Sequence, residues 1–171
     1  MKSSPRLYTK RFRTSLGEFR LSATEIGLFS LDWGTGGNTL DRPWKPPAPV
    51  ARLLEKASRA IQRFLRGERV EFRGLPIDWR GYSPFSRRVL CELKKFAWGE
   101  VATYGELAGK ADRARAARAV GTVLRHNRLP IVVPCHRILP KTGGLGGFSK
   151  GVSAKAFLLE LEAKRARPSS R

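Results

Sequence analysis

The residues best suited to chemistry stand in one stretch, Pro130-Ile131-Val132-Val133-Pro134-Cys135-His136-Arg137. The chain has two cysteines and two histidines, and one of each is spent here, side by side. A thiol with an ordinary pKa of about 8.5 is mostly protonated at neutral pH, so a nucleophilic cysteine needs a base or cation near it. Cys135 beside His136 therefore suggests thiolate chemistry. Taken alone, a cysteine after an apolar run is more often a small buried hydrophobe, and Ile131, Val132 and Val133 read as a buried strand or core segment. Neighbours in sequence also cannot face each other as a direct pair, which argues against a cysteine protease. The remaining histidine, His126, and the remaining cysteine, Cys91, form no group with metal-ligand spacing, so no metal site is expected.

A second feature follows closely, the glycine-rich loop Gly143-Gly144-Leu145-Gly146-Gly147-Phe148-Ser149. It lacks the lysine and the strand-to-helix setting of a triphosphate-binding loop. Its glycines let backbone approach a flat ligand, and Phe148 can close over one.

These features need elements to hold them. Ser83-Pro84 starts a helix as N-cap hydroxyl and first-turn proline, with Phe85, Val89, Leu90, Leu93 and Phe96 on one face and an end near Gly99. Thr103 with Glu106 three residues on predicts a capped short helix over 103–110. Asp112 is expected to cap another, over about 114–126, rich in Arg and Ala. Two short helices with a tight connection form a helix-turn-helix signal. A last helix is expected over 153–165, with Ala156, Phe157, Leu159 and Leu161 as its apolar residues and a basic tail over 165–171 behind it.

The first 80 residues carry no chemistry that sequence alone reveals. Period-2 bursts over 7–33 predict an antiparallel meander, 34–49 a long loop, 50–66 an amphipathic helix stopped at Gly67, and 71–79 one more strand. A boundary falls at Arg80-Gly81-Tyr82, dividing an N-terminal α/β unit (1–80) from a mostly helical C-terminal unit (81–171). The fold class is α/β, in the α+β sense.

Charge narrows the partner. The 171 residues hold 34 Lys and Arg against 14 Asp and Glu, a formal net charge of +20, with an isoelectric point near 11.3. Such a surface attracts polyanions and gains from counterion release, which makes nucleic acid the leading partner and an anionic membrane surface the alternative. No apolar run approaches the ~20 residues needed to span a bilayer. No apolar segment follows the basic N-terminus, so an intracellular, cytoplasmic location with both cysteines reduced is expected.

Residues 83 to 162 resemble the O6-alkylguanine-DNA alkyltransferases, the methylated-DNA–protein-cysteine methyltransferase family. The resemblance lies in Ser83-Pro84-Phe85, Gly99-Glu100-Val101-Ala102-Thr103-Tyr104-Gly105-Glu106-Leu107-Ala108, Ala116-Ala117-Arg118-Ala119-Val120-Gly121, Asn127, 130–137, 143–148, Lys155, Leu158-Leu159 and Glu162. It implies a small N-terminal domain of ribonuclease-H-like topology. It also implies single-turnover transfer of an alkyl group from O6 of guanine, and less well O4 of thymine, to Cys135 in double-stranded DNA. His136 would act as base through a bound water, Glu162 would orient that histidine, and Asn127 would brace the turn before the cysteine. Arg118 would fill the space left by a flipped nucleotide, and Tyr104 would crowd its phosphate. Ala117, Ala119 and Gly121 would let their helix approach the minor groove. Pro130, Ile138, Gly146, Phe148, Ser149 and Tyr104 would line the base pocket. The family usually has tyrosine where this chain has Phe148, so a hydroxyl thought to help guanine depart is missing. No cofactor is expected, and a monomer is. The alternatives are a non-catalytic binder of alkylated bases and an architectural DNA-binding protein in which Cys135 only packs.

Overall fold

The computed structural model describes residues 5–34 and 44–166, the last two as backbone only. Most of the expected loop over 34–49 and the end of the expected basic tail lie outside the described residues.

The N-terminal sheet is an antiparallel meander of β1 (Tyr8–Thr14), β2 (Gly17–Ala23) and β3 (Leu28–Trp33). Its register sets Phe19 opposite both Phe12 and Trp33. The Phe19 and Trp33 rings stack at 4.7 Å, a cross-strand pairing of the kind that stabilises one sheet face. Helix α1 (Ala48–Leu65) covers that face with Leu54, Ala57, Ile61 and Phe64, all buried. Gly67, at φ +82°, ends it as expected, its amide donating to the Phe64 carbonyl.

The expected strand over 71–79 shrinks to one parallel bridge, Leu28 to Ile77. Two backbone bonds make it, Leu28 N–H to Pro76 O and Asp78 N–H to Leu28 O, both 2.9 Å. Pro76 has no N–H to extend a ladder. The approach is so close that a Cβ on Gly27 would lie 2.7 Å from the Pro76 backbone.

The C-terminal part packs α2 (Pro84–Leu93), α3 (Tyr104–Lys110) and α4 (Ala117–Arg125) together, with α5 (Val152–Ala166) behind the cysteine turn. Ser83 caps α2 by accepting from Ser86 N–H, and Thr103 with Glu106 forms a full capping box on α3. Helix α2 ends at Leu93 rather than near Gly99. Asp112 caps nothing. It sits at φ +58° just past α3 and pairs with Arg88, and α4 starts at Ala117 without a side-chain cap. Short polar residues are favoured both at caps and in the left-handed region, so Asp112 fits either place.

In α5 the fully buried residues are Lys155, Leu158 and Glu162, spaced three and four apart. The expected apolar face of that helix (Ala156, Phe157, Leu159, Leu161) is only half-buried. Two charges point inward where an apolar stripe was expected.

The core is continuous across the chain. The Phe64 ring of α1 meets Trp98 at 5.1 Å and His136 at 6.2 Å. Among the described residues no helix is long and apolar enough to cross a membrane.

Candidate active site

Cys135 opens a single 3₁₀ turn, Cys135–Arg137, that runs into β5 (Ile138–Leu139). Strand β5 pairs in parallel with β4 (Ala102–Thr103), Ala102 to Ile138 and Thr103 to Leu139. That pairing carries the turn to the start of α3, where Tyr104 is the first helical residue. The capping box fixes Tyr104 in turn: Thr103 Oγ1 accepts from Glu106 N–H at 3.2 Å, and Glu106 Oε2 accepts from Thr103 N–H at 2.6 Å.

The apolar run before the cysteine is buried but is not a strand. Ile131 takes φ +74°, a costly conformation for a β-branched residue. Asn127, at the end of α4, holds the irregular segment. Its Oδ1 accepts from Leu129 N–H at 3.0 Å, and its Nδ2 donates to Val133 O at 2.9 Å and to Cys135 Sγ at 3.1 Å. One side chain thus ties three points of the segment together.

Behind the thiol lies a buried charged cluster. His136 Nε2 lies 2.9 Å from Glu162 Oε1. Arg137 Nε donates to Glu162 Oε2 and Arg137 Nη2 to Oε1, each at 2.9 Å, while Nη1 donates to Phe96 O at 2.8 Å. Gly99 N–H adds a bond to Glu162 Oε2 at 3.0 Å. Burial pushes the Glu162 carboxyl upward, but its bonds from His136 and Arg137 outweigh this and hold it at about 2. Burial also pushes the His136 ring below its ordinary range, against the pull of Glu162, so it rests neutral. His136 Nδ1 is buried and has no partner among the described residues. Buried polar atoms of that kind are commonly met by water.

The Cys135 thiol is pushed up to about 11, chiefly by burial, against the Asn127 N–H, backbone N–H groups and the Lys155 ammonium. Lys155 Nζ is buried in α5 and donates to Ile138 O at 2.7 Å. Sequence reasoning missed both Arg137 and Lys155 as parts of the site. A buried cation looks like a surface one in sequence, and the signals available were that Arg137 adjoins His136 and that both residues fall within the stretches that carry the family resemblance.

An open cavity of about 670 Å³ reaches the thiol, within the usual range for ligand sites. Its wall includes Cys135, Tyr104, Arg118, Gly121, Phe148 and Ser149 from the sequence expectation. Gly147, Thr122, Leu124, Arg125 and His126 join them unforeseen. Pro130 and Ile138 are buried and lie outside this wall, at odds with the expected pocket lining. The cysteine segment draws both into the core. Gly146 is also outside it, at φ +65°, where a Cβ would be 2.8 Å from Pro140 Cγ and 3.6 Å from Tyr104 Oη. On α4, Arg118 and Ala119 are exposed and Ala117 is half-buried. The edge of the Phe148 ring meets His136 at 6.5 Å. Both cysteines are free thiols.

The chain resembles known proteins in sequence and in fold. Residues 84–164 match the family model described as 6-O-methylguanine DNA methyltransferase, DNA binding domain. Residues 7–79 match its ribonuclease-like domain. The methylated-DNA–protein-cysteine methyltransferase of Methanosarcina acetivorans is 32% identical over 158 residues, 91% of this chain and 98% of that protein. Its counterpart from Haemophilus influenzae is 39% identical over 110 residues, 64% of this chain and 61% of that one. A crystal structure of Mycobacterium tuberculosis OGT in complex with DNA superposes with a TM-score of 0.78 at 31% identity, covering 92% of this chain and 93% of that one.

Proposed function

The chain belongs to the 6-O-methylguanine DNA methyltransferase family, and on that premise we propose that it repairs double-stranded DNA by moving an alkyl group from O6 of guanine onto Cys135. O4-alkylthymine is a poorer substrate. The observation that carries this reading is the placement of the Cys135 thiol in the floor of an open cavity whose rim bears Tyr104, Arg118 and Phe148.

The target base lies inside the duplex, so its nucleotide must be turned out into the cavity, at a cost of a few kcal/mol. Helix α4 enters the minor groove, which carries little sequence information and suits a protein that must act anywhere. Its small residues Ala117, Ala119 and Gly121 permit the approach. Arg118 occupies the gap left in the stack, and Tyr104 crowds the target phosphate. The Phe148 ring then packs on the flipped base beside Ser149, the glycine loop allowing close approach.

In the transfer step a bond forms between Sγ and the alkyl carbon as the carbon–O6 bond breaks, and its electron pair stays with guanine. The thiol proton leaves toward His136, through a water at the unpartnered Nδ1, and the guanine anion takes one proton from solvent water to leave neutral. The imidazolium then returns its proton to solvent, so one proton is lost and one gained. The net reaction is thiol plus alkylguanine to thioether plus guanine. Glu162 stabilises the imidazolium from the opposite ring nitrogen. The product is a thioether, which has no easy leaving path, so each molecule acts once. The protein acts as a monomer, inside the cell with the DNA.

The test is intact-mass measurement after incubation with an O6-methylguanine duplex. A gain of one methyl, mapped to Cys135 and abolished in Cys135→Ala, supports the reading. A folded sample that binds DNA and gains no mass refutes it and leaves a binding or architectural protein.

A further inference from the structure

Asn127 holds the thiol, and the residue after it is gripped by the other domain. The Arg128 guanidinium lies between two rings, 4.1 Å from the centroid of Phe29 on β3 and 4.3 Å from that of Tyr82. Its Nη2 donates to Asp78 O at 3.0 Å and to Arg80 O at 2.9 Å. The Arg128 backbone is held as firmly: its N–H donates to Tyr82 Oη at 2.9 Å, and its carbonyl accepts from Leu31 N–H of β3 at 2.8 Å. Tyr82 Oη also donates to His126 O at 3.3 Å, so the two peptide groups flanking Asn127 meet at one hydroxyl. The same strand takes a second hold on the site, because Lys150, next to Ser149 in the loop, pairs with Asp32 at 2.8 Å.

A helix end held only by its last turn frays, and a side chain on it samples several rotamers. We propose that Arg128 is a positioning residue through which strand β3 of the N-terminal domain fixes Asn127, and thereby the Cys135 thiol. A planar, delocalised cation suits the place, because it stacks on two rings while forking to two carbonyls, which an ammonium cannot do. This gives the N-terminal domain a part in setting the nucleophile. The groups that face Cys135 are Asn127 from α4, Lys155 from α5, the phenol of Tyr104 from α3 and the backbone of its own turn. Of these, only Asn127 is reached by the Arg128 clamp.

The inference rests on the proposed acceptor role of Cys135, and two electrophiles separate them. Iodoacetamide, with its product mapped to Cys135, reads the thiol alone, and an O6-methylguanine duplex reads the transfer. Arg128→Leu is expected to slow both at least about tenfold, the value of a hydrogen bond to a forming anion. Affinity for unmodified duplex should stay within about twofold, because α4 and Arg118 are untouched. In an Asn127→Ala background the same substitution should have no further effect on either rate, the signature of two residues acting as one. Tyr82→Phe keeps the stack but removes the hydroxyl, and should slow both reactions in the same direction by a smaller factor. It serves where Arg128→Leu does not fold. Arg128→Leu or Tyr82→Phe with a lower melting temperature and unchanged thiol rates overturns the inference, as does an additive effect with Asn127→Ala. If the wild type takes no methyl from the duplex, the acceptor reading falls while the iodoacetamide rates still decide the role of Arg128.

Discussion

Replacing Glu162 by glutamine tests the charged cluster behind the thiol. The carboxylate receives bonds from His136, Arg137 and Gly99 N–H, and Glu162 is only 1% exposed. The amide keeps the shape but leaves the buried Arg137 cation without its counter-ion. Removing one partner of a buried pair costs about 3–5 kcal/mol. The carboxyl gives a similar figure independently. It titrates at about 2 instead of 4.5, and at about 1.4 kcal/mol per unit the difference is about 3 kcal/mol of folding free energy. The pKa is depressed in the folded protein, so this stability is complete above the ordinary value of 4.5 and is lost as pH falls through about 2. A protonated carboxyl and an amide carry the same charge, so the deficit of Glu162→Gln should be about 3–5 kcal/mol at pH 7 and shrink toward zero near pH 2. Urea unfolding of both proteins at several pH values measures it. A deficit below about 1 kcal/mol at pH 7, or one that is equal at pH 7 and pH 2, refutes the cluster as a net source of stability.

Phe148→Tyr restores a hydroxyl at the rim of the cavity and should speed methyl transfer by about fivefold, the worth of one neutral hydrogen bond; single-turnover kinetics with an unchanged rate count against the idea. Arg118→Ala should slow repair of duplex substrate by about tenfold to a hundredfold, matching a flipping cost of a few kcal/mol, yet leave reaction with the free base nearly intact. Lys155→Met leaves the buried Ile138 carbonyl without its donor and should cost about 1–3 kcal/mol in urea unfolding. With the thiol at about 11, the Cys135 rate with iodoacetamide should rise about tenfold per pH unit from pH 7 to pH 10. A plateau below pH 9 would mean the thiolate is far better stabilised than the site allows.

Local signals carried the sequence reading well where the partners are close in the chain. The Ser83 cap, the Thr103–Glu106 box and the Gly67 stop are each set within a few residues, and each appears as expected. The segment over 71–79 misled because its apolar residues are buried by one bridge to Leu28 and by contact of Phe72 with Phe64 of α1, not by a ladder. The candidate site was legible only in part, for a physical reason. Residue type tells what a side chain can do, but burial of Arg137, Lys155 and Glu162 depends on partners up to 64 positions away, as in the Trp98 bond to the Glu162 backbone. Arg128 was hidden in the same way among 34 basic residues.

The site joins two demands that oppose each other. A thiolate at rest would react soonest, but it would also be spent on any electrophile that entered the open cavity. With the thiol at about 11, only about one molecule in ten thousand carries a thiolate at pH 7. In the proposed transfer the proton leaves as the carbon–sulfur bond forms, which asks for a base held ready and a thiol held still. His136 is neutral by burial and backed by Glu162, so it can take a proton without leaving an unpaired cation in the core. Holding the thiol still falls to Asn127, and holding Asn127 falls to a contact that crosses from one domain to the other. On this reading restraint of the thiol comes from its burial, against the pull of Lys155 on α5, and precision of its placement from Asn127 and the grip of β3 on Arg128.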